Sequence, residues 1–107
     1  MPKIITICGS LKFKDEMIKL AIQLQLKGNV ALTPAFPVDS SKTNYTEEEI
    51  SMLGKMHKEK IKLSDAIIVV DINNYVGEAT KSEIEFAKSL NKEIIYYSKI
   101  KAKISKD

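Results

Sequence analysis

Few side chains in this sequence are equipped for chemistry, and they lie far apart along the chain. Glu83 stands in the stretch VGEATKSEIEFA, three residues after Thr80 and ahead of an apolar-periodic run. The Thr-x-x-Glu spacing suits a capping box, in which the hydroxyl and the carboxylate each satisfy a free amide at a helix start. Glu83, Ala87 and Leu90 also fall at i, i+4 and i+7, which sets the carboxylate on or beside the inward stripe of the same helix. A carboxylate held there is a candidate nucleophile whose pKa burial perturbs. Capping and catalysis both remain open at this level.

The other candidates are single copies of their kind. His57, the only histidine, follows Ile50 and Leu53 at helical spacing and precedes Ile61 by four. That stripe packs a helix on a sheet, so the imidazole is either half-buried with a backbone partner or an acid or base reaching a pocket. Cys8, the only cysteine, permits no intramolecular disulfide and reads as a buried, inert thiol in a reducing compartment. Asp71 ends an apolar run, where it either faces a pocket or starts a turn through Asn73 and Asn74. Gly9-Ser10 after Cys8 offers backbone amides and a hydroxyl to an anion, with Lys12 and Lys14 close by. It lacks the three spaced glycines of a dinucleotide site and the Gly-Lys-Ser/Thr of a Walker loop. One histidine and scattered carboxylates give no recognised metal-ligand spacing, so neither a metal nor another cofactor is expected.

The elements that must position these residues alternate in type. Short β-branched runs at residues 3–8, 30–33, 66–70 and 93–97 read as strands. Helical periodicity occupies 13–27, 46–63 and 80–90, the second opening on a Thr46-x-x-Glu49 capping box. The order is βαβαβαβ. Strands that are continuous apolar runs separated by helices indicate an α/β fold: a small doubly wound, Rossmann- or flavodoxin-like parallel sheet of four to five strands, helices on both faces. Ligands bind such sheets beyond the carboxyl ends of the strands, so residues 9–12, 33–45 and 71–80 are the expected pocket loops. Residues 98–107 read as a loosely ordered tail on a single domain spanning 1–107.

Composition narrows the function classes. With 44% hydrophobic and 29% charged residues in 107, the chain is an ordinary globular domain rather than a disordered one. No apolar run reaches the ~20 residues of a membrane span, and the start carries no signal-peptide pattern, so the protein is expected to be cytoplasmic and not membrane-bound. The net charge is +3, all 17 basic residues are lysine, and tryptophan is absent. Without arginine forks or aromatic platforms, nucleic acid is not an expected partner.

ICGS at the end of the first strand, Ser64-Asp65 before the third, a glycine-containing loop, and Thr80-x-x-Glu83-Ile84 followed by Ala87 form a pattern. It resembles the nucleoside 2-deoxyribosyltransferase superfamily over about residues 4–97, and among its members the 2'-deoxynucleoside 5'-phosphate N-hydrolases. The resemblance implies an N-glycosidic-bond enzyme of nucleoside or nucleotide salvage, with Glu83 as the nucleophile that forms a glycosyl-enzyme. Where that superfamily carries an acidic aspartate on the preceding helix, this chain has His57, a candidate acid for the departing base. The same likeness implies that Cys8, Gly9 and Ser10 hold the sugar or its phosphate. Asp71, Asn73, Gly77 and Thr80 shape the pocket, Phe36 either stacks on the base or simply packs, and a homodimer completes the site. A pocket kept for nucleotide binding or sensing without turnover is the alternative.

Overall fold

The computed structural model describes residues 2–36 and 45–104, and the rest of the expected second pocket loop, 37–44, lies outside them. Four strands, β1 (Ile4–Cys8), β2 (Val30–Leu32), β3 (Ala66–Val69) and β4 (Glu93–Tyr96), form one parallel sheet in the order β2-β1-β3-β4. Three long helices connect them: α1 (Lys14–Leu26), α2 (Glu47–Leu63) and α3 (Glu78–Ser89). The expected doubly wound α/β fold is therefore present, with four strands. Strand order reverses between β1 and β3, which places the topological switch point between their carboxyl ends.

Strand periodicity assigns each side chain of β1 to a layer. Ile5 and Ile7 pack with Met17, Leu20, Ala21 and Leu24 of α1, together with Ile68 and Val70. The opposite parity sends Cys8 into the second layer with Ile61 of α2, Ile84 and Ala87 of α3, and Ile67 and Val69 of β3. Register is set by the pairs Ile5–Ala66, Thr6–Ile67, Ile7–Ile68 and Cys8–Val69. Gly9 then lets the chain leave β1 closely: a Cβ there would sit 3.2 Å from both Met17 Sδ and Val70 Cβ.

Ser64 and Asp65 lock the amino-terminal edge of the sheet, far from the pocket end. The Asp65 carboxylate accepts from the Ile4 amide at 2.8 Å, and the Asp65 amide donates to the Ile4 carbonyl at 2.7 Å. Ser64 Oγ donates to the Lys60 carbonyl at 2.8 Å and shares a hydrogen bond with the buried Thr6 hydroxyl. This pair thus pins the end of α2 and the start of β3 onto β1.

Two expectations change. Up to residue 104 the expected loose tail is a helix: α4 (Tyr97–Ile104) follows β4 directly, Ile100 packs on the α1 side of the core, and residues 105–107 lie outside those described. Its first turn is capped from a distance, because the Asp71 carboxylate accepts from the Ser98 amide at 2.8 Å and the Ser98 hydroxyl at 2.7 Å. The third long helix begins at Glu78 with Gly77 as its N-cap, not at Thr80. Thr80 is therefore the third helical residue, Glu83 lies in the second turn, and the expected capping box does not form. At Thr46 it does: Glu49 N donates to Thr46 Oγ1 at 3.0 Å and Thr46 N to Glu49 Oε1 at 2.9 Å.

Asp65→Ala should cost about 1.5–3 kcal/mol in urea unfolding, the range for a hydrogen bond to a charged acceptor. A change below about 0.5 kcal/mol would show that the carboxylate does not hold the β1–β3 edge.

Candidate active site

A pocket of about 570 Å³ opens beyond the carboxyl ends of β1 and β3, at the switch point. Gly9 and Ser10 after β1 border it, as do Pro34 and Ala35 after β2, and Gly77, Glu78 and Thr80 at the start of α3. Its outer wall is α2, through Ile50, Leu53, Gly54 and His57. The α2 stripe therefore has two fates. Ile61 and His57 are buried on the sheet, whereas Ile50 and Leu53 remain 58% and 38% exposed in the pocket wall. Gly54 leaves open space, since a Cβ there would meet nothing within 4 Å.

Glu83 reaches this pocket from α3, whose buried face is Thr80, Ile84 and Ala87. Leu90 lies past the helix end and is 37% exposed, so of the expected stripe only Ala87 is fully buried, and Thr80 and Ile84 complete the inward face. Glu83 flanks that stripe with a side chain 17% exposed, and its Oε1 lies 3.8 Å from His57 Nε2. Cys8 Sγ, from the second-layer parity of β1, lies 3.6 Å from the same nitrogen. His57 is buried rather than half-buried, and in place of the expected backbone partner its Nδ1 has no hydrogen-bond partner among the described residues. Sequence separation hides this trio; only the α/β topology brings its members together.

Burial governs the protonation of all three. It pushes the Glu83 carboxyl up to about 7, a rise tempered by a hydrogen bond from the Cys8 thiol and by the Lys58 charge. It takes the His57 imidazole down to about 4, with the Lys60 charge acting in the same direction. The Cys8 thiol is held well above its usual value by burial and by the neighbouring Glu83 charge. Near neutrality the ring is uncharged, the thiol keeps its proton, and Glu83 is divided between its two forms. The His57–Glu83 contact is then a neutral imidazole beside a carboxyl group, not an ion pair.

Other expected site residues divide between the pocket and other places. Ser10 borders the pocket while its Oγ accepts from the Lys12 amide at 3.3 Å, capping a single 3-10 turn at Leu11–Phe13. Lys12 is turned onto the Tyr75 ring, with Nζ 3.4 Å from the ring centre. Asp71 and Asn73 do not line the pocket; they border a separate cleft with Ser98, and Asn73 adopts φ 55°. Phe36 packs against the α1 side of the core and is not among the lining residues. Of the α2 wall only His57 is expected at the pocket from sequence; Ile50 and Leu53 read as a stripe packed on the sheet, and Gly54 and Tyr45 carry no sequence signal for the site.

No family model matches the chain, and no curated protein matches it. Among solved structures, a 2-desoxiribosyltransferase from Leishmania mexicana aligns with a TM-score of 0.62 at 22% identity over 89% of this chain. This chain shares its fold. The alignment spans 63% of that transferase's chain, so the larger protein has more than the four-stranded unit described above. Both are doubly wound α/β structures, and the pocket lies where that fold commonly binds ligands.

The opposed shifts of His57 and Glu83 predict a particular pH response. For His57 the unfolded chain binds the extra proton between pH 4 and 6.5, so stability gained from its neutral burial rises with pH across that window. For Glu83 the folded chain holds its proton more tightly between 4.5 and 7, so stability falls as pH rises there. The two nearly cancel in the parent. In urea unfolding at a series of pH values, Glu83→Gln should expose the rise and His57→Gln the fall, each up to about 3 kcal/mol across its window. Parallel pH curves for the parent and both variants would contradict the buried pair.

Proposed function

We propose that this protein cleaves or transfers the N-glycosidic bond of deoxynucleosides, with Glu83 as the nucleophile. The observation that carries the reading is one carboxylate, on the wall of a largely apolar pocket at the switch point, touching a neutral imidazole. The likeness in fold to a deoxyribosyltransferase supports it. Ionised Glu83 attacks the anomeric carbon while the bond from that carbon to the base breaks. The base leaves with the bonding electrons and takes a proton from solvent. Positive charge grows on the sugar ring in the transition state, and a carboxylate in a low-dielectric wall stabilises it more than water does. Water or a second base then displaces Glu83 from the glycosyl ester, restoring the enzyme.

His57 supports this step as a positioning group. A ring lowered to about 4 has no second proton to give at neutral pH, but its Nε2–H can hold the carboxylate in place. Ser10, Gly9 and Thr80 frame the sugar end of the pocket. The described lining residues include two carboxylates, Glu78 and Glu83, and no lysine, which favours a neutral nucleoside over its 5'-monophosphate. A binding or sensing module is the second reading, favoured by the uncharged His57 where an acid would stand.

The same reading includes a homodimer. Met52, Met56, Ile50 and Leu53 leave an exposed apolar strip along the first turns of α2, beside the pocket mouth. Sedimentation should report a dimer for the parent and a monomer for Met52→Lys/Met56→Lys. A monomeric parent at tens of micromolar would remove this part of the reading.

Chromatography after incubation with deoxynucleosides and their 5'-monophosphates should detect free base, with nucleosides preferred. Glu83→Gln should lower the rate at least ~10³-fold, and kcat/KM should climb as pH passes through about 7, where Glu83 ionises. Ligand binding without base release would support the sensing module instead.

A further inference from the structure

The groups beneath the pocket also make a donor set of another kind. Cys8 Sγ from β1, His57 Nε2 from α2 and a Glu83 carboxylate oxygen from α3 all lie within 4.8 Å of one another. Sulfur and ring nitrogen are 3.6 Å apart, and ring nitrogen and carboxylate oxygen 3.8 Å. A tetrahedral zinc ion bound at about 2.3 Å to sulfur and about 2.0–2.1 Å to nitrogen and oxygen needs separations of roughly 3.3–3.6 Å between those donors. The sulfur–nitrogen and nitrogen–oxygen separations meet this within about half an ångström, and the sulfur–oxygen pair, which lies within 4.8 Å, closes by rotation of the Glu83 side chain.

We propose that Cys8, His57 and Glu83 bind a single thiophilic divalent cation, of which Zn²⁺ is the type, leaving a fourth coordination position open to the pocket. A mixed sulfur, nitrogen and oxygen set selects zinc or cobalt over magnesium or calcium, which take oxygen alone. Charge balances as well: a thiolate and a carboxylate together neutralise a dication, so the complex adds no net charge to the apolar layer of Ile61, Val69 and Ile84. The protons of the thiol and the carboxyl leave to solvent on binding. Among the described residues His57 Nδ1 lacks the outer partner that most metal-bound imidazoles have, so affinity falls about 10–100-fold below that of sites with a complete outer shell.

Occupancy has a consequence that rests on the function proposed above. The ion takes the Glu83 oxygen that attacks the sugar, so the metal form is an inhibited form. Binding itself does not depend on that function, and its readout is separate.

The test titrates the metal-free protein with Co²⁺ alone. One equivalent should produce a thiolate-to-cobalt charge-transfer band in the near ultraviolet with tetrahedral d–d bands in the visible, both bleached by Zn²⁺ and unaffected by Mg²⁺. Cys8→Ser should lose the charge-transfer band, and His57→Gln should weaken binding at least tenfold; Cys8→Ala replaces Cys8→Ser if circular dichroism shows that the serine variant does not fold. Absence of the charge-transfer band in the folded parent, or the same spectrum in a folded Cys8 variant, overturns the site. If base release is found, stoichiometric Zn²⁺ should abolish it and a chelator restore it. Full turnover with the cobalt bands present would overturn the inhibition while leaving the site, and failure to find any substrate leaves the spectroscopic result decisive.

Discussion

The parallel pairing of β1 with β3 is the constraint on which the site depends. Both strands are covered on both sides, so every side chain along them is committed to one helical layer or the other by its parity. A slip of one residue would exchange the layers, sending Cys8 toward α1 and leaving Ile7 beneath His57. The hydrogen bonds between Asp65 and Ile4 guard against that slip at one end. At the other end, Val70 N donates to the Cys8 carbonyl at 2.8 Å, immediately before the two strands diverge around the pocket.

That divergence creates a polar trio in surroundings that oppose charge. An imidazole, a thiol and a carboxyl share a small apolar volume, and each is held toward its neutral form. The desolvation penalty is what raises Glu83, while the Cys8 thiol and Lys58 restrain the rise. The result is a carboxyl group whose ionisation falls in the physiological range, next to a histidine whose ionisation does not. The ordinary expectation for these two residue types is thereby inverted.

Much of the fold was legible because β-branched runs such as IITIC and AIIV alternate with helical stripes, and alternation forces a parallel sheet. The start of α3 was misread because its N-cap is Gly77, which makes no side-chain cap bond, while Thr80-x-x-Glu83 imitates a capping box three residues later. The helix at the carboxyl end was missed because its stabilising partner is Asp71, remote in sequence, and because four lysines from 99 to 106 resemble a solvated tail. Glu83 was placed on the pocket side by topology despite the wrong cap. The proximity of Cys8 to His57 was not legible, since it requires strand parity and helix phase to be known together.

The pocket wall also reflects simple lengths. With 17 residues α2 is about 25 Å long, whereas the five residues of β1 span about 16 Å. A helix that runs back along the sheet and ends level with the start of β3 must therefore overshoot the other edge by close to two turns. Those turns carry Ile50, Leu53 and Gly54, and they stand beyond the strands with no sheet beneath them. The cavity is in this sense the leftover of a mismatch between two element lengths. Its depth is counted in helical turns, and an insertion or deletion of one turn in α2 would deepen or erase it before any lining residue was changed.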